Sequence, residues 1–409
     1  MTGVDKLTVS ISLGGQMIEL GELVSTKEKI YFRYYPEFID RGIQISPFRM
    51  PLSDKPLTAN REPFEGLFGV FSDSLPDGWG RLLLDRTLSS RGISPLKISP
   101  LDRLAYVGSG GMGTLIYKPE SGLEHNLKNK LELDSIARQM NQVLEGTSSD
   151  VFEELYALGG SSGGARPKIL VGYDESNDNL IHGSGSFPEG YEHWIIKFPS
   201  SSDPIDIAFI EYAYYKMALG AGIEMNPCRL FTGESGRKYF GTKRFDRVEG
   251  RRLHMHSASG LMHDDFRLSN MDYGHLMDSA FKLENQVEAY NKVLRLAAFN
   301  IYGHNRDDHS KNFSFLMDPE GNWQLAPAYD LTFSSSSHGL HSTMIAGESK
   351  APGRKHLLEL AKHFSMKDPA EIIERVQGVF GDWSKYASEN GVEKKSSDLI
   401  NKTILQLRD

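Results

Sequence analysis

Apolar and polar residues alternate at the start of the chain. Val9, Ile11 and Leu13 are separated by polar positions, and Gly14-Gly15 follows them. A period of two predicts a half-buried strand, and the glycine pair predicts a hairpin turn after it. Ile30-Tyr31-Phe32-Arg33-Tyr34-Tyr35 is a second run of strand-forming residues. Pro36, Pro47, Pro51 and Pro56 then punctuate irregular chain. The turn Ser74-Leu75-Pro76-Asp77-Gly78-Trp79-Gly80 precedes a helical stretch from Arg81 to Arg91. A glycine cluster at 108–113 reads as a loop ahead of the strand-like Thr114-Leu115-Ile116-Tyr117. Between 118 and 150 Leu131, Leu133, Ile136, Met140 and Val143 recur at helical spacing in a charged stretch, which reads as a connector.

Beyond 155 the pattern changes. A Gly/Ser-rich loop (159–164) leads into the apolar strand Lys168-Ile169-Leu170-Val171-Gly172. His193-Trp194-Ile195-Ile196-Lys197-Phe198 is another strand, and Lys238 to Phe245 a further one. Pro204 is placed to open a helix that runs to Gly220, with Ile207, Ile210, Tyr214 and Met217 on one face. After 260 helical periodicity dominates, in stretches at 271–282, 286–303, 355–365, 369–387 and 394–407. The expected organisation is a β-rich N-terminal module (1–120), a mixed lobe (121–245) and an all-helical lobe (246–409), an α+β chain of two lobes behind an extra module.

Composition narrows the function classes. The 409 residues, 39% hydrophobic and 24% charged, suit two or three globular domains. A net charge of −8 argues against a surface devoted to nucleic acid. Cys228 stands alone, so an internal disulfide is excluded. Charged residues interrupt the first thirty positions, and no apolar run reaches membrane-spanning length. A cytoplasmic protein without a membrane partner is the expectation.

The chemistry concentrates in Asp307-Asp308-His309-Ser310-Lys311-Asn312 and Tyr329-Asp330-Leu331. Asn312 stands five positions after Asp307, the spacing of kinase catalytic loops. In that chemistry the aspartate takes the proton of the attacking hydroxyl. The amide and a second carboxylate hold the magnesium ions that bridge ATP phosphates. Asp307 is therefore the expected base, and Asn312 and Asp330 the expected metal ligands. His309 is expected to prop the loop, and Lys311 either touches the transferring phosphoryl group or is solvated. Lys197 lies within an apolar strand and needs a partner, for which Glu211 on the next helix is the candidate. The loop Gly159-Gly160-Ser161-Ser162-Gly163-Gly164-Ala165-Arg166-Pro167-Lys168 stands one hairpin ahead of that strand. Its glycine N–H groups can approach phosphate oxygens, and its hydroxyls and Lys168 can add contacts. It lacks the GK[ST] ending of a Walker A loop. His304 and His309 lack a third zinc ligand at credible spacing.

With these blocks, GGSSGGARPK (159–168), HWIIKFP (193–199), TKRFDR (242–247), NRDDHSKNFSF (305–315) and PAYDLT (327–332), the chain resembles the HipA family of serine/threonine-kinase toxins from bacterial toxin–antitoxin pairs. SDSLPDGWGR (72–81) resembles that family's N-terminal module. The resemblance implies a bilobal protein-kinase-like core using ATP and Mg²⁺, with Lys197 on the phosphates and Lys243 and Phe245 in the hinge beside adenine. It implies that Ser161 is autophosphorylated, which shuts the site, with Ser162 as the neighbouring acceptor. It further implies a HipB-like helix-turn-helix antitoxin, DNA contact only through that partner, and a protein substrate, an aminoacyl-tRNA synthetase being the type linked to the family. Two other readings use the same residues: a small-molecule or phosphoinositide-type kinase, and a catalytically silent nucleotide-binding module in a DNA-bound repressor complex. The sequence departs from the family's pattern in the basic pair Lys243-Arg244 and in the additional carboxylate Asp308.

Overall fold

A computed structural model describes residues 3–121, 131–146, 152–159, 163–183, 187–336 and 339–407. The alternating N-terminal segment forms strands Lys6–Leu13 and Gln16–Ser25, joined by Gly14-Gly15. Both glycines have positive φ, +57° and +85°, as a tight hairpin turn with the right strand twist demands. Ile30–Tyr34, Leu57–Thr58 and Leu115–Lys118 complete an antiparallel five-stranded sheet in which Lys6–Leu13 pairs with the last of them.

A second antiparallel sheet has the order Asn179–His182, Lys168–Asp174, Glu192–Lys197, Lys238–Lys243, Cys228–Thr232. The helix expected to open at Pro204 spans Ile207–Gly220. Asp206, just before it, is buried because it accepts hydrogen bonds from Glu393 N and Ser396 Oγ at 2.9 and 2.8 Å, which ties this lobe to the C-terminal helices.

The helical lobe contains Tyr273–Glu284, Glu288–Tyr302, Arg354–His363, Pro369–Gly381, Trp383–Glu389 and Lys394–Leu405. It is not all helical. His254–Ser257, Ser314–Met317 and Trp323–Leu325 form a three-stranded antiparallel sheet inside it. Strands of three or four residues are too short to show a period of two, and only Trp323-Gln324-Leu325-Ala326 reads as a strand in the sequence.

Packing divides differently from the chain. The first sheet and the helical lobe share one continuous core, with Phe32, Phe71 and Leu104 joined to Leu261, Tyr273 and Phe315. The helix Gly78–Ser90, expected in the N-terminal module, packs instead with the second sheet. Its Trp79, Leu83, Leu84 and Leu88 meet Ile169, Val171 and Trp194. The expected connector is part of that core as well, because Leu133, Ile136, Met140 and Val143 of helix Leu133–Glu145 are buried in it. The N-terminal module thus reaches both lobes. Among the described residues no helix is long and apolar enough to cross a membrane.

The module meets the helical lobe backbone to backbone. A Cβ added at Gly69 would lie 2.0 Å from the carbonyl oxygen of Gly260 and 2.4 Å from its Cα. Neither neighbour can move without shifting its helix. Gly69→Ala is expected to lower the free energy of unfolding by about 1–3 kcal/mol. Urea denaturation would measure it, and an unchanged midpoint would refute the close docking.

Candidate active site

Lys197 ends the strand Glu192–Lys197, and its ammonium reaches two carboxylates. Nζ donates to Glu211 Oε1 at 3.1 Å and to Asp330 Oδ1 at 2.5 Å. Glu211 lies on the helix packed beneath the sheet and is buried. Arg166 from the glycine-rich loop adds a second cation, at 3.4 Å from Glu211 and 2.9 Å from Asp203. Burial works against the charge on Lys197, but Asp330 and Glu211 outweigh it and hold the ammonium well above its ordinary pKa. Burial likewise pushes Asp330 up. Lys197, then Lys168 and Arg166, outweigh it and hold the carboxyl far below the usual range. Asp330 has φ +55°, a left-handed conformation that aspartate tolerates better than most residues.

The helix Glu288–Tyr302 delivers the chain to the segment 304–312, which closes in a single 3₁₀ turn, Ser310–Asn312. Asn312 Nδ2 donates to the carbonyl of Asp307 at 2.6 Å, so the five-residue spacing closes a small ring. The Asp307 side chain is 63% exposed at the cleft mouth. Neighbouring protein raises its carboxyl pKa, His309 pulls it down and Asp330 pushes it up again. Water at the mouth limits all three influences. His309 Nε2 stands 3.8 Å from Asp307 Oδ1, beyond hydrogen-bond range, and its ring lies against Phe266. Asp308 faces the other way. It is buried and accepts from Tyr273 Oη at 3.1 Å and from the backbone N–H of Ser342 at 2.8 Å, with His341 Nδ1 3.1 Å away. Its role is to staple the loop to 341–343.

Ser161 and Ser162 lie outside the described residues. Of the rest of the loop, Gly164 has φ +95° and bonds with both backbone groups. Its N–H donates to Asp77 Oδ1, and its carbonyl accepts from Trp79 N at 3.1 Å. The expected phosphate donor at Gly164 is therefore already engaged. Lys168 is buried opposite Lys197 on the neighbouring strand, and its Nζ donates to Gly163 O at 2.5 Å. Burial pushes its pKa down. Lys311 is not solvated: Nζ donates to Asp77 Oδ2 at 2.7 Å and sits 4.7 Å from the centre of the Phe266 ring.

Where the hinge was expected, the Lys243 side chain bonds Glu192. Its N–H is engaged by Pro227 O at 2.9 Å and its carbonyl by Asn226 Nδ2 at 3.2 Å. The N–H of Arg244 is engaged as well, by His193 O at 2.9 Å. The Phe245 ring packs on Tyr329 at 5.4 Å.

Lys197, Asp330, Asn312, Lys311, Asp77, Lys168, His309 and Phe245 line one cleft of about 320 Å³, while Glu211, Arg166, Asp203, Asp307 and Asp308 lie outside its lining. Ile195, Met112, Phe245 and Ala328 give it apolar walls, and Lys168, Lys197 and Lys311 give it cations at one end. Such a cleft fits a flat base with a polyanionic tail. The Asn312 amide oxygen and the Asp330 carboxylate are hard oxygen donors of the kind magnesium takes. The sequence missed Asp77, Arg166 and Asp203 as contributors, although Asp77 and Arg166 stand within quoted blocks.

Two lobes, a lysine–glutamate pair across strand and helix, and a carboxylate–amide loop at the cleft mouth define a kinase-like α+β fold. The chain belongs to the HipA family. The HipA-like C-terminal domain matches residues 160–383, and the HipA N-terminal domain matches 10–118. A serine/threonine-protein kinase toxin HipA of Shewanella oneidensis is 26% identical over 358 residues, 81% of this chain and 76% of that protein. A solved HipA from the same organism, in a complex with HipB and operator DNA, superposes with a TM-score of 0.67 at 17% identity, covering 98% of this chain and 96% of its own.

Lys197→Met would leave Asp330 and Glu211 with less positive charge. The wild-type pair stabilises the fold above the unfolded carboxylate pKa of about 4, and this contribution is lost as pH falls toward the depressed folded value. The variant is therefore expected to be less stable by roughly 1–3 kcal/mol at pH 7, with the deficit closing below about pH 4. Urea melts across pH 3–8 would show this; a deficit independent of pH would contradict it.

Proposed function

We propose that this protein is an ATP- and magnesium-dependent serine/threonine protein kinase acting as a growth-arresting toxin, restrained by a HipB-like helix-turn-helix antitoxin. The observation that carries the kinase reading is the meeting of Lys197, Asp330, Asn312 and the Asp307 loop at one cleft. The name of the Shewanella relative and the HipA–HipB–operator complex support the toxin and partner parts. DNA contact is assigned to the antitoxin, in keeping with the net charge of −8.

Asn312 and Asp330 would hold magnesium, which supplies charge neutralisation for the phosphates when bound. Lys197 stays cationic between its carboxylates and offers its charge to phosphate oxygens. Lys168 and Lys311 extend that positive end. Asp307, open to solvent, is placed to receive the proton of an incoming serine hydroxyl as its oxygen bonds the γ-phosphorus and ADP departs. The Asn312 side chain fixes the Asp307 backbone so that this carboxylate presents itself at the mouth. An aminoacyl-tRNA synthetase is the first acceptor to try. Ser161, two residues before Gly163, is the assigned autophosphorylation site. A phosphate there would add about −1.5 to −2 charge to the glycine-rich loop sequence.

Asp307→Ala is expected to reduce labelling from γ-labelled ATP with magnesium by at least about a hundredfold. Equal background labelling of wild type and variant would end the kinase reading, and labelling of a metabolite fraction rather than of lysate protein would move it to a small-molecule kinase. Ser161→Ala is expected to remove most self-labelling. Retained labelling, mapped by peptide mass, would transfer the assignment to Ser162 or another residue.

A further inference from the structure

The N-terminal module carries a carboxylate into the nucleotide cleft. Asp77 precedes the helix Gly78–Ser90, and its side chain is only 11% exposed. Oδ1 accepts from Gly164 N in the glycine-rich loop, and Oδ2 accepts from Lys311 Nζ in the catalytic segment at 2.7 Å. One carboxylate therefore joins the two lobes across the floor of the cleft. The contact around it is close. Trp79 N donates to Gly164 O at 3.1 Å, and a Cβ added at Gly78 would lie 2.6 Å from Ala165 Cα. Gly78 has φ +40°, so a side chain there is disfavoured twice.

Lys311 has two neighbours that fix its direction, Asp77 and the Phe266 ring. A lysine side chain has several rotatable bonds and loses much entropy when it is held. An ammonium that must meet a phosphoryl group gains from being held beforehand. The nearby Asp73 cannot serve: its carboxylate is taken by His256 Nδ1, Ser257 N and Ser257 Oγ at 2.7, 2.7 and 2.6 Å.

We infer that Asp77 is a positioning residue for phosphoryl transfer: it aims Lys311 at the transferring phosphoryl group and sets the glycine loop, making the N-terminal module part of the catalytic apparatus. This inference rests on the kinase reading above. Asp77 touches no reacting atom itself; it acts through Lys311 and Gly164.

The test is a double-mutant cycle on full-length protein, read as the rate of self-labelling against ATP concentration with magnesium. Asp77→Asn keeps the shape and removes the charge. It is expected to lower the rate at saturating ATP roughly tenfold or more, with a smaller change in half-saturating ATP. Lys311→Met is expected to fall by a similar factor, and the double variant to fall no further than Lys311→Met alone. Asp77→Glu keeps the charge and is expected to recover much of the rate; it also serves if Asp77→Asn does not fold. Additive losses in the cycle, an unchanged or faster Asp77→Asn, or no recovery in Asp77→Glu would overturn the inference while the kinase reading stood. A wild type that neither labels nor binds a fluorescent ATP analogue would overturn the kinase reading, and this inference with it.

Discussion

The buried ammonium of Lys197 is the constraint from which the rest of the cleft follows. A charge on an inward strand position is tolerated only with partners. Here the partners come from a helix of the same lobe, Glu211, and from a loop of the other, Asp330. Satisfying one lysine therefore fixes the helix against the sheet and draws the two lobes together. Arg166 then balances the extra negative charge through Glu211 and Asp203. The other face of the Glu211 helix, with Ile210, Tyr214 and Met217, packs in the core of the helical lobe, while the cleft itself is organised by charge.

The N-terminal module packs against both lobes of this kinase-like core. It shares a core with the helical lobe and sends the helix Gly78–Ser90 into the core of the other. A free-standing pair of lobes could rock around the hinge. Here the outer module grips both, with Asp73 on one side and Asp77 on the other. Asp308 adds a further tie within the helical lobe, holding the segment 304–312 to 341–343.

The residues legible in the sequence were those whose meaning is local. Asp307 and Asn312 declare themselves by spacing, and the structure closes that spacing with one side-chain hydrogen bond. Lys197 was visible because a lysine in an apolar strand breaks the pattern, and Glu211 because few carboxylates on the following helix could answer it. The hairpin at Gly14-Gly15 and the strands at 168–174 and 192–197 were readable from periodicity and turn chemistry. Asp77 and Asp203 were not read as site residues, because their partners lie far along the chain: Asp77 bonds Lys311 across 234 positions. The helix 78–90 was foreseen, but no periodicity says which core a helix enters. In the small sheet, the strands 254–257 and 314–317 were hidden by their shortness, whereas 323–325 was readable.

Asp73 and Asp77 are separated by a single turn of chain, and that shortness has a mechanical consequence. Asp73 is bonded to the backbone of Ser257 in one lobe and Asp77 to the backbone of Gly164 in the other. A tether this short has no slack, so the jaws cannot part by much without rupturing one bond or the other. In the proposed reaction, exchange of ADP for ATP would have to break one of these two carboxylate contacts.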